Sequence, residues 1–134
     1  MKKRTPISEI MTKNVITLNS KDDLVTAERL FKKHNIRHIP VVSGSNVIGM
    51  LSLTDLLRIS FADGIDDDIE SVETIVYNMF TIEQVMAKNL TSVSSKTTIK
   101  EVAEILSKKE FHALPVIDDG ELSGIVTTTD LINY

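Results

Sequence analysis

The sequence predicts an α+β protein built from two tandem copies of one β-α-β-β-α unit. Residues 7–57 align without a gap on residues 82–132, at an offset of 75 positions. Apolar residues in both copies change between helical and strand spacing in the same order. Both copies also contain a glycine, two apolar residues, a hydroxyl residue, two further positions and an aspartate. Such a duplication is typical of one supersecondary unit repeated, and we expect the two copies to pack about a pseudo-twofold axis.

The duplication also fixes the predicted organisation of the chain. Each copy is near 50 residues long and too small to bury its apolar faces well alone. We expect repeat 1 at residues 1–62, an acidic linker with a helix at 63–79, and repeat 2 at 80–134. Thirteen of the 51 aligned positions are identical, and in the first copy these are Ile7, Met11, Lys13, Asn14, Ser20, Lys21, Lys33, Pro40, Val41, Gly49, Thr54, Asp55 and Leu56.

Composition excludes several classes of protein. The 134 residues are 42% hydrophobic and 25% charged, which is ordinary for a globular protein with a core. The net charge of −4 gives no support for nucleic-acid binding, and the absence of cysteine excludes disulfides and cysteine-ligated zinc. No apolar run approaches the roughly 20 residues that span a bilayer. We therefore expect a cytoplasmic protein without a membrane or nucleic-acid partner.

The first copy shows the predicted elements in order. Thr5 can cap a short leading helix that has Pro6 at its first position. Pro40 cannot donate a ladder hydrogen bond, so its strand should be an edge or irregular at that point. The predicted elements are a strand at 15–18, a helix at 24–34, strands at 36–42 and 47–51 around a turn at 43–46, and a helix from 53 to 60.

The second copy repeats this order. Thr81 and Gln84 resemble a capping box for its leading helix. The last helix should begin near Thr129. The other predicted elements are a strand at 90–93, a helix at 98–109, and a hairpin of 113–117 with 122–126.

The segment between the copies is strongly acidic. Residues 63–73 contain six carboxylates and no lysine or arginine. They could form a metal or partner site, but a solvated linker is favoured, and no metal site is predicted. Helical spacing of apolar residues predicts a linker helix that is capped by Asp67 or Asp68.

The repeated glycine motif is the strongest candidate for function. Residues 49–55 read Gly-Met-Leu-Ser-Leu-Thr-Asp, and residues 124–130 read Gly-Ile-Val-Thr-Thr-Thr-Asp. Each predicts a strand that leads directly into a helix, with the hydroxyl at the N-cap. The hydroxyl and the aspartate could simply cap the helix, or they could contact a phosphate and a ribose diol.

The preceding strands favour the second interpretation. A strand interrupted by proline leaves unpaired backbone groups, which can read the polar edge of a flat ring. These strands read Ile36-Arg-His-Ile-Pro40 and Phe111-His-Ala-Leu-Pro115. Together with the hydroxyl and the aspartate, they describe a slot for an adenosine.

This combination resembles the cystathionine β-synthase (CBS) domain family, in which two repeats form a CBS pair or Bateman module. The resemblance extends from about residue 7 to residue 132. It rests on the Asn14-Val-Ile-Thr17 strand, the Arg37-His-Ile-Pro-Val-Val42 strand, the motif at 49–55 and their second-copy counterparts. It implies a regulatory pair with two adenosine-nucleotide clefts between the repeats, and homodimerisation.

The resemblance also implies the binding residues. The hydroxyl and aspartate contacts to phosphate and ribose correspond to Ser52 with Asp55 and to Thr127 with Asp130. The adenine contacts correspond to Ile16, Ile36, His38 and Pro40 in the first copy, and to Thr91, Phe111, Ala113 and Pro115 in the second.

Three further residues affect these sites. His38 corresponds to Ala113, so its imidazole could narrow the first slot or donate to phosphate. Arg37 and His112 could also contact phosphate, although each of the three could equally be an ordinary exposed polar residue.

No catalytic residue is predicted, because no phosphate-binding loop, nucleophile elbow or zinc-protease motif is present. We expect a stand-alone sensor that requires no cofactor, binds AMP, ADP, ATP or a related nucleotide, and signals to an effector protein in trans. The alternative is a ligand-free dimerisation or scaffold module.

Overall fold

A computed structural model of the chain describes residues 4–63, 79–109 and 111–134, with side chains omitted at 60–63. The predicted linker helix and nearly all of the acidic linker lie outside these residues. The described chain forms two compact units, residues 16–89 and residues 1–15 with 90–134. The content is α+β, as the sequence predicts.

The unit of residues 16–89 shows the predicted β-α-β-β-α order. Strand β1 (Leu18–Asn19) pairs in parallel with β2 (His38–Ser43), and β2 pairs antiparallel with β3 (Asn46–Ser52), so β2 is the central strand. Its elements are β1 (Leu18–Asn19), α1 (Leu24–His34), β2 (His38–Ser43), β3 (Asn46–Ser52), α2 (Leu53–Asp63) and the short α3 (Ile82–Val85).

Local chemistry explains where α1 begins and ends. The Asp23 carboxylate accepts a hydrogen bond from the Thr26 amide at 2.8 Å and caps the first turn. Asn35 ends the helix with a left-handed φ of 51°. The apolar face of α1 is buried with Ile39 and Leu51 of the hairpin in one core cluster.

The other unit contains the second hairpin. Thr98 caps α4 (Ile99–Lys108), because its hydroxyl accepts from the Glu101 amide at 3.1 Å. The antiparallel strands β4 (Ala113–Asp118) and β5 (Glu121–Thr127) turn at Asp119 and Gly120, which have positive φ values of 52° and 80°. Its elements are a 3₁₀ turn (Ile7–Glu9), α4 (Ile99–Lys108), β4 (Ala113–Asp118), β5 (Glu121–Thr127) and α5 (Thr128–Ile132).

The leading segment of each copy packs against the other copy. Ile7 is fully buried in a cluster with Ile99 and Val102, and its amide donates to Thr97 O at 2.7 Å. Ile82 is fully buried in the first-copy cluster, and Met50 exchanges two hydrogen bonds with Ala87. The compact units therefore differ from the sequence repeats, whose boundaries stay predictions.

Three predictions about short elements are wrong, and one is confirmed. The strand predicted at 15–18 is instead the two residues Leu18–Asn19. Thr5 does not cap the leading turn, because Pro6 is the N-cap and the Thr5 carbonyl instead accepts from Ile99 N at 2.9 Å. The predicted strand at 90–93 is reduced to a single parallel bridge, Val93 with Val116. The capping box of Thr81 with Gln84 is present.

Candidate functional site

The second-copy hydroxyl and aspartate form a complete capping box at the start of α5. The Thr127 hydroxyl accepts from the Asp130 amide at 3.2 Å, and the Asp130 carboxylate accepts from the Thr127 amide at 2.9 Å. The capping role that the sequence left open is therefore real in this copy. The reason is local, since a hydroxyl at the N-cap and a carboxylate three residues later satisfy each other's free amides.

We call the junction between strand and helix a corner, Ser52–Asp55 in the first copy and Thr127–Asp130 in the second. The first-copy corner has only half of this arrangement. The Ser52 hydroxyl accepts from the Asp55 amide at 3.0 Å. The Asp55 carboxylate instead lies 3.4 Å from the Arg58 guanidinium, as an exposed i,i+3 ion pair. The two corners therefore share their residue types but differ in the partner of the carboxylate.

Capping leaves part of each corner chemically available. The Thr127 hydroxyl accepts through a lone pair, so its own proton can still be donated. The cap occupies Oδ2 of Asp130, and a carboxylate has a second oxygen that can accept. One hydroxyl donor and one carboxylate acceptor are what a phosphate oxygen and a ribose hydroxyl would need.

Pro115 stops the parallel pairing of the second copy. At the bridge, Val93 N donates to Pro115 O at 3.1 Å and Ile117 N donates to Val93 O at 2.7 Å. The next bond in a parallel ladder would need the Pro115 amide to donate to Thr91, and proline has no N–H. Thus the pairing ends at Pro115, and Thr91 and Ala113 border a gap in the ladder.

Backbone groups in that gap remain unpaired. Thr128 N donates to His112 O, so Ala113 and Thr127 form a non-hydrogen-bonded pair of the antiparallel ladder. The N–H and C=O of Ala113 therefore point away from β5. Among the described residues, neither Thr91 nor Ala113 makes a backbone hydrogen bond across the gap. These groups form the free strand edge that the sequence predicts.

In the first copy, too, the parallel pairing is limited to residues that follow the proline, Pro40. Strand β1 pairs with β2 only at Val41 and Val42, which follow the proline, so Ile16 lies beyond the last pair. Pro40 is therefore at an edge on its β1 side although β2 is central, and the register shifts directly after Val41.

The strand edge and the corner are neighbours in each unit. Ser52 is the cross-strand partner of His38, and Thr127 is the partner of Ala113. Non-hydrogen-bonded partners place their Cα atoms about 4.5 Å apart. The structure thus brings together the edge, the hydroxyl and the aspartate, although His38 and Asp55, like Ala113 and Asp130, lie 17 residues apart in the chain.

The remaining predicted residues directly precede the two strand edges in the chain, and the carbonyls of Arg37 and His112 accept hydrogen bonds from Leu53 N and Thr128 N. Ile36 and Arg37 line a cavity of about 330 Å³ between α1 and α2. Phe111 packs against the second-copy core cluster. His112 is exposed and contributes its carbonyl to the bond with Thr128.

Sequence reasoning missed the reason for both motif glycines. A Cβ at Gly124 would lie 2.7 Å from Thr12 O, and one at Gly49 would lie 2.9 Å from Ala87 O and would collide with Met86 Sδ. The glycines therefore make room for the leading segments, which pack against β3 and β5, and not for a phosphate. The sequence signals this role only by having glycine at both positions, because the leading segments that pack there are distant in sequence.

Sequence reasoning also missed Arg58. The cation is visible three residues after Asp55, at the spacing that allows an ion pair on a helix, and its second-copy counterpart is Asn133.

The described residues support neither a metal centre nor a membrane span. No cluster of three or more His, Asp or Glu side chains among them could hold a metal ion. Within the same ranges, no helix has the length and apolar character needed to pass through a bilayer.

Comparison with known proteins identifies the repeats. A family model described as "CBS domain" matches residues 7–62 and 82–134. CBS domain-containing protein YhcV from Bacillus subtilis is 26% identical over 125 residues, which are 93% of this chain and 81% of that protein.

Two further relatives cover nearly the whole chain. Protein MJ1225 from Methanocaldococcus jannaschii is 24% identical over 96% of this chain and 46% of its own length. Its crystal structure superposes with a TM-score of 0.82, covering 100% of this chain and 49% of that one. The CBS domain pair of protein MJ0100, in complex with 5′-methylthioadenosine and S-adenosyl-L-methionine, has a TM-score of 0.76 and 27% identity, covering 96% of this chain and 98% of that chain.

Several curated relatives are much longer than the matched region. The chain spans less than half of MJ1225 and 22% of an L-aspartate semialdehyde sulfurtransferase from the same organism, to which it is 27% identical.

Proposed function

This chain belongs to the CBS domain family, and from that premise we propose that it is a regulatory module that binds an adenosine nucleotide. The observation that carries the proposal is the double occurrence of a proline-interrupted strand edge beside a hydroxyl–aspartate corner. AMP, ADP, ATP or a related adenosine compound is the ligand class. The ligand is sensed and not turned over, and no cofactor is required.

Three groups of the second-copy site support this proposal. The unpaired N–H and C=O of Ala113 can pair with the polar edge of adenine, as a neighbouring strand would. The Thr127 hydroxyl can donate to a phosphate or a 5′ substituent, and the Asp130 carboxylate can accept from the ribose. The complex of the MJ0100 pair with two adenosine compounds supports this ligand class.

The proposal includes a route from ligand binding to signalling. Binding would favour one conformation of the module and so alter its contacts with another protein. We propose a cytoplasmic homodimer that acts on an effector protein in trans, with no nucleic acid and no membrane as partner.

Calorimetric titration tests the ligand class. The chain is titrated with AMP, ADP, ATP, S-adenosylmethionine and cyclic di-AMP, and its thermal unfolding is followed in parallel. A ligand at 100 times its Kd should stabilise the fold by about 2.7 kcal/mol. Absence of both heat and thermal shift with all five compounds would contradict the proposal.

The Asp130→Ala variant separates binding from capping. Loss of a charged hydrogen bond to ribose should weaken binding about tenfold or more, whereas loss of the cap should cost only about 1 kcal/mol of stability. Glu121→Ala is the matched control, since it removes an exposed carboxylate from β5 outside the site.

The capping box itself favours a second candidate, a ligand-free dimerisation or scaffold module. In that case Thr127 and Asp130 act only on α5. Asp130→Ala would then lower the unfolding temperature, no adenosine compound would bind, and the wild-type chain would still dimerise in sedimentation experiments.

A further inference from the structure

The two corners differ in charge although their motif residues correspond. In the first copy, the Arg58 guanidinium lies 3.4 Å from the Asp55 carboxylate. In the second copy, the position 75 residues later is Asn133, which is exposed and uncharged. Among the described residues, no cation forms an ion pair with Asp130, whose Oδ2 is instead held by the Thr127 amide.

This difference changes which ligand charge each corner can accept. An anionic phosphate near Asp130 meets an uncompensated negative charge, because an amide hydrogen bond does not cancel a unit charge. Beside Asp55, the guanidinium offsets the carboxylate and offers further N–H donors that suit phosphate geometry. Its side chain is 72% exposed, so it can turn from Asp55 to a ligand at little cost.

We infer that the corners select different adenosine compounds: the Ser52–Asp55 corner takes those with a 5′ phosphate, and the Thr127–Asp130 corner takes those with an uncharged or cationic 5′ tail. This inference rests on the proposed function. Arg58 and Asn133 are the residues that set the specificity.

Each corner can be measured alone by disabling the other. Asp130→Ala leaves the first corner, and Asp55→Ala leaves the second. Each variant is titrated with AMP, neutral adenosine and cationic S-adenosylmethionine. The first corner should prefer AMP to S-adenosylmethionine, and the second should show the reverse order.

Charge exchange at the two exposed positions provides the decisive variants. Arg58→Asn in the first-corner background should weaken AMP about fivefold or more, with neutral adenosine little changed. Asn133→Arg in the second-corner background should strengthen AMP by a similar factor. Both effects should shrink as salt is raised from 0.05 to 0.5 M, because exposed charges are screened. A merely structural role for Arg58 would alter adenosine and AMP binding equally.

The possible outcomes distinguish failure of this inference from failure of the proposed adenosine-nucleotide binding. If no adenosine compound binds the wild-type chain, the proposed function fails and the inference fails with it. If compounds bind but both corners show the same order of affinity, or the charge exchanges leave AMP binding unchanged, only the inference is overturned. If only one corner binds, the charge exchange at that corner is the test, and unchanged AMP binding in that variant overturns the inference.

Discussion

Single residues determine whether the leading segment can pack within its own compact unit, and Gly124 is the clearest example. Its φ is not in the left-handed region, so backbone freedom is not the reason for glycine here. The reason is distance, since Thr12 exchanges two backbone hydrogen bonds with the adjacent Ile125. A neighbouring backbone cannot move away from a new Cβ as a flexible side chain can.

Gly124→Ala should therefore destabilise the fold. A Cβ 2.7 Å from Thr12 O forces the leading segment off β5, and overpacking of this kind costs about 1–3 kcal/mol. Urea unfolding would measure the loss. Glu121→Ala on the same strand is the control and should change stability by less than about 0.5 kcal/mol. Equal stability of Gly124→Ala and wild type would disprove the close-approach explanation.

Asp118 is a second position where one side chain joins distant segments. Its carboxylate accepts from the Ser123 hydroxyl at 2.6 Å and from the Ser95 amide at 3.0 Å. These hydrogen bonds, that of Ser123 foremost, lower the pKa of the Asp118 carboxyl below 3.8. The first copy has Ser43 at the corresponding position and lacks this carboxylate.

Acid should remove the contribution of Asp118 to stability. Because its pKa is lower in the folded chain, the stabilisation is fully present above pH 3.8 and is lost as the pH falls through the folded pKa. The unfolding temperature of wild type should exceed that of Asp118→Asn at pH 7, and the difference should narrow below pH 4. A difference that stays constant between pH 7 and pH 3 would contradict this linkage.

At the level of elements, the prolines of β2 and β4 create the candidate binding edges. A parallel ladder needs a donor at the position of Pro115, and its absence ends the pairing at Val93. The same edge lies beside the corner at the end of β5, so one missing hydrogen bond exposes groups next to the hydroxyl and the carboxylate.

Pro115→Ala should close the edge in the second copy. The new amide can donate to Thr91 and extend the pairing, so adenosine binding at this corner should weaken while the fold remains. Loss of proline rigidity should cost no more than about 1 kcal/mol. Hydrogen exchange should show a protected amide at position 115, and Pro6→Ala is the control outside the site. If the amide at position 115 is protected and adenosine binding is unchanged, the strand edge at β4 is not part of the binding site.

For the whole molecule, the main feature is the exchange of leading segments. Ile7 completes the core that contains the second hairpin, and Ile82 completes the core that contains the first. One compact unit therefore joins residues 1–15 to residues 90–134, and the other runs from residue 16 to residue 89 and so includes the leading segment of the second copy.

Ile7→Ala and Ile82→Ala should therefore act on the opposite copy. Each side chain is fully buried, and such truncations cost about 2–5 kcal/mol. Hydrogen exchange should show lost protection in α4, β4 and β5 for Ile7→Ala, and in α1, β2 and β3 for Ile82→Ala. The two variants serve as controls for each other, and loss of protection within the same copy would refute the exchange.

Local chemistry made much of this protein predictable from its sequence. The periodicity of apolar residues, the caps at Thr81 and Thr127, and the repeated motif depend on neighbours within a few positions. The duplication then gave the α+β order of both copies, because equal patterns fold into equal elements. The partner of the Asp55 carboxylate is also within this range, although it was missed.

Only the tertiary structure decided where distant segments meet. It assigned the leading segments to the opposite cores, gave the motif glycines their steric role and reduced the predicted strand at 90–93 to one bridge. It also placed Ala113 opposite Thr127, which joins the strand edge to the corner. The physical reason is that such contacts depend on the close approach of backbones far apart in the chain, whereas capping and periodicity act within a few residues.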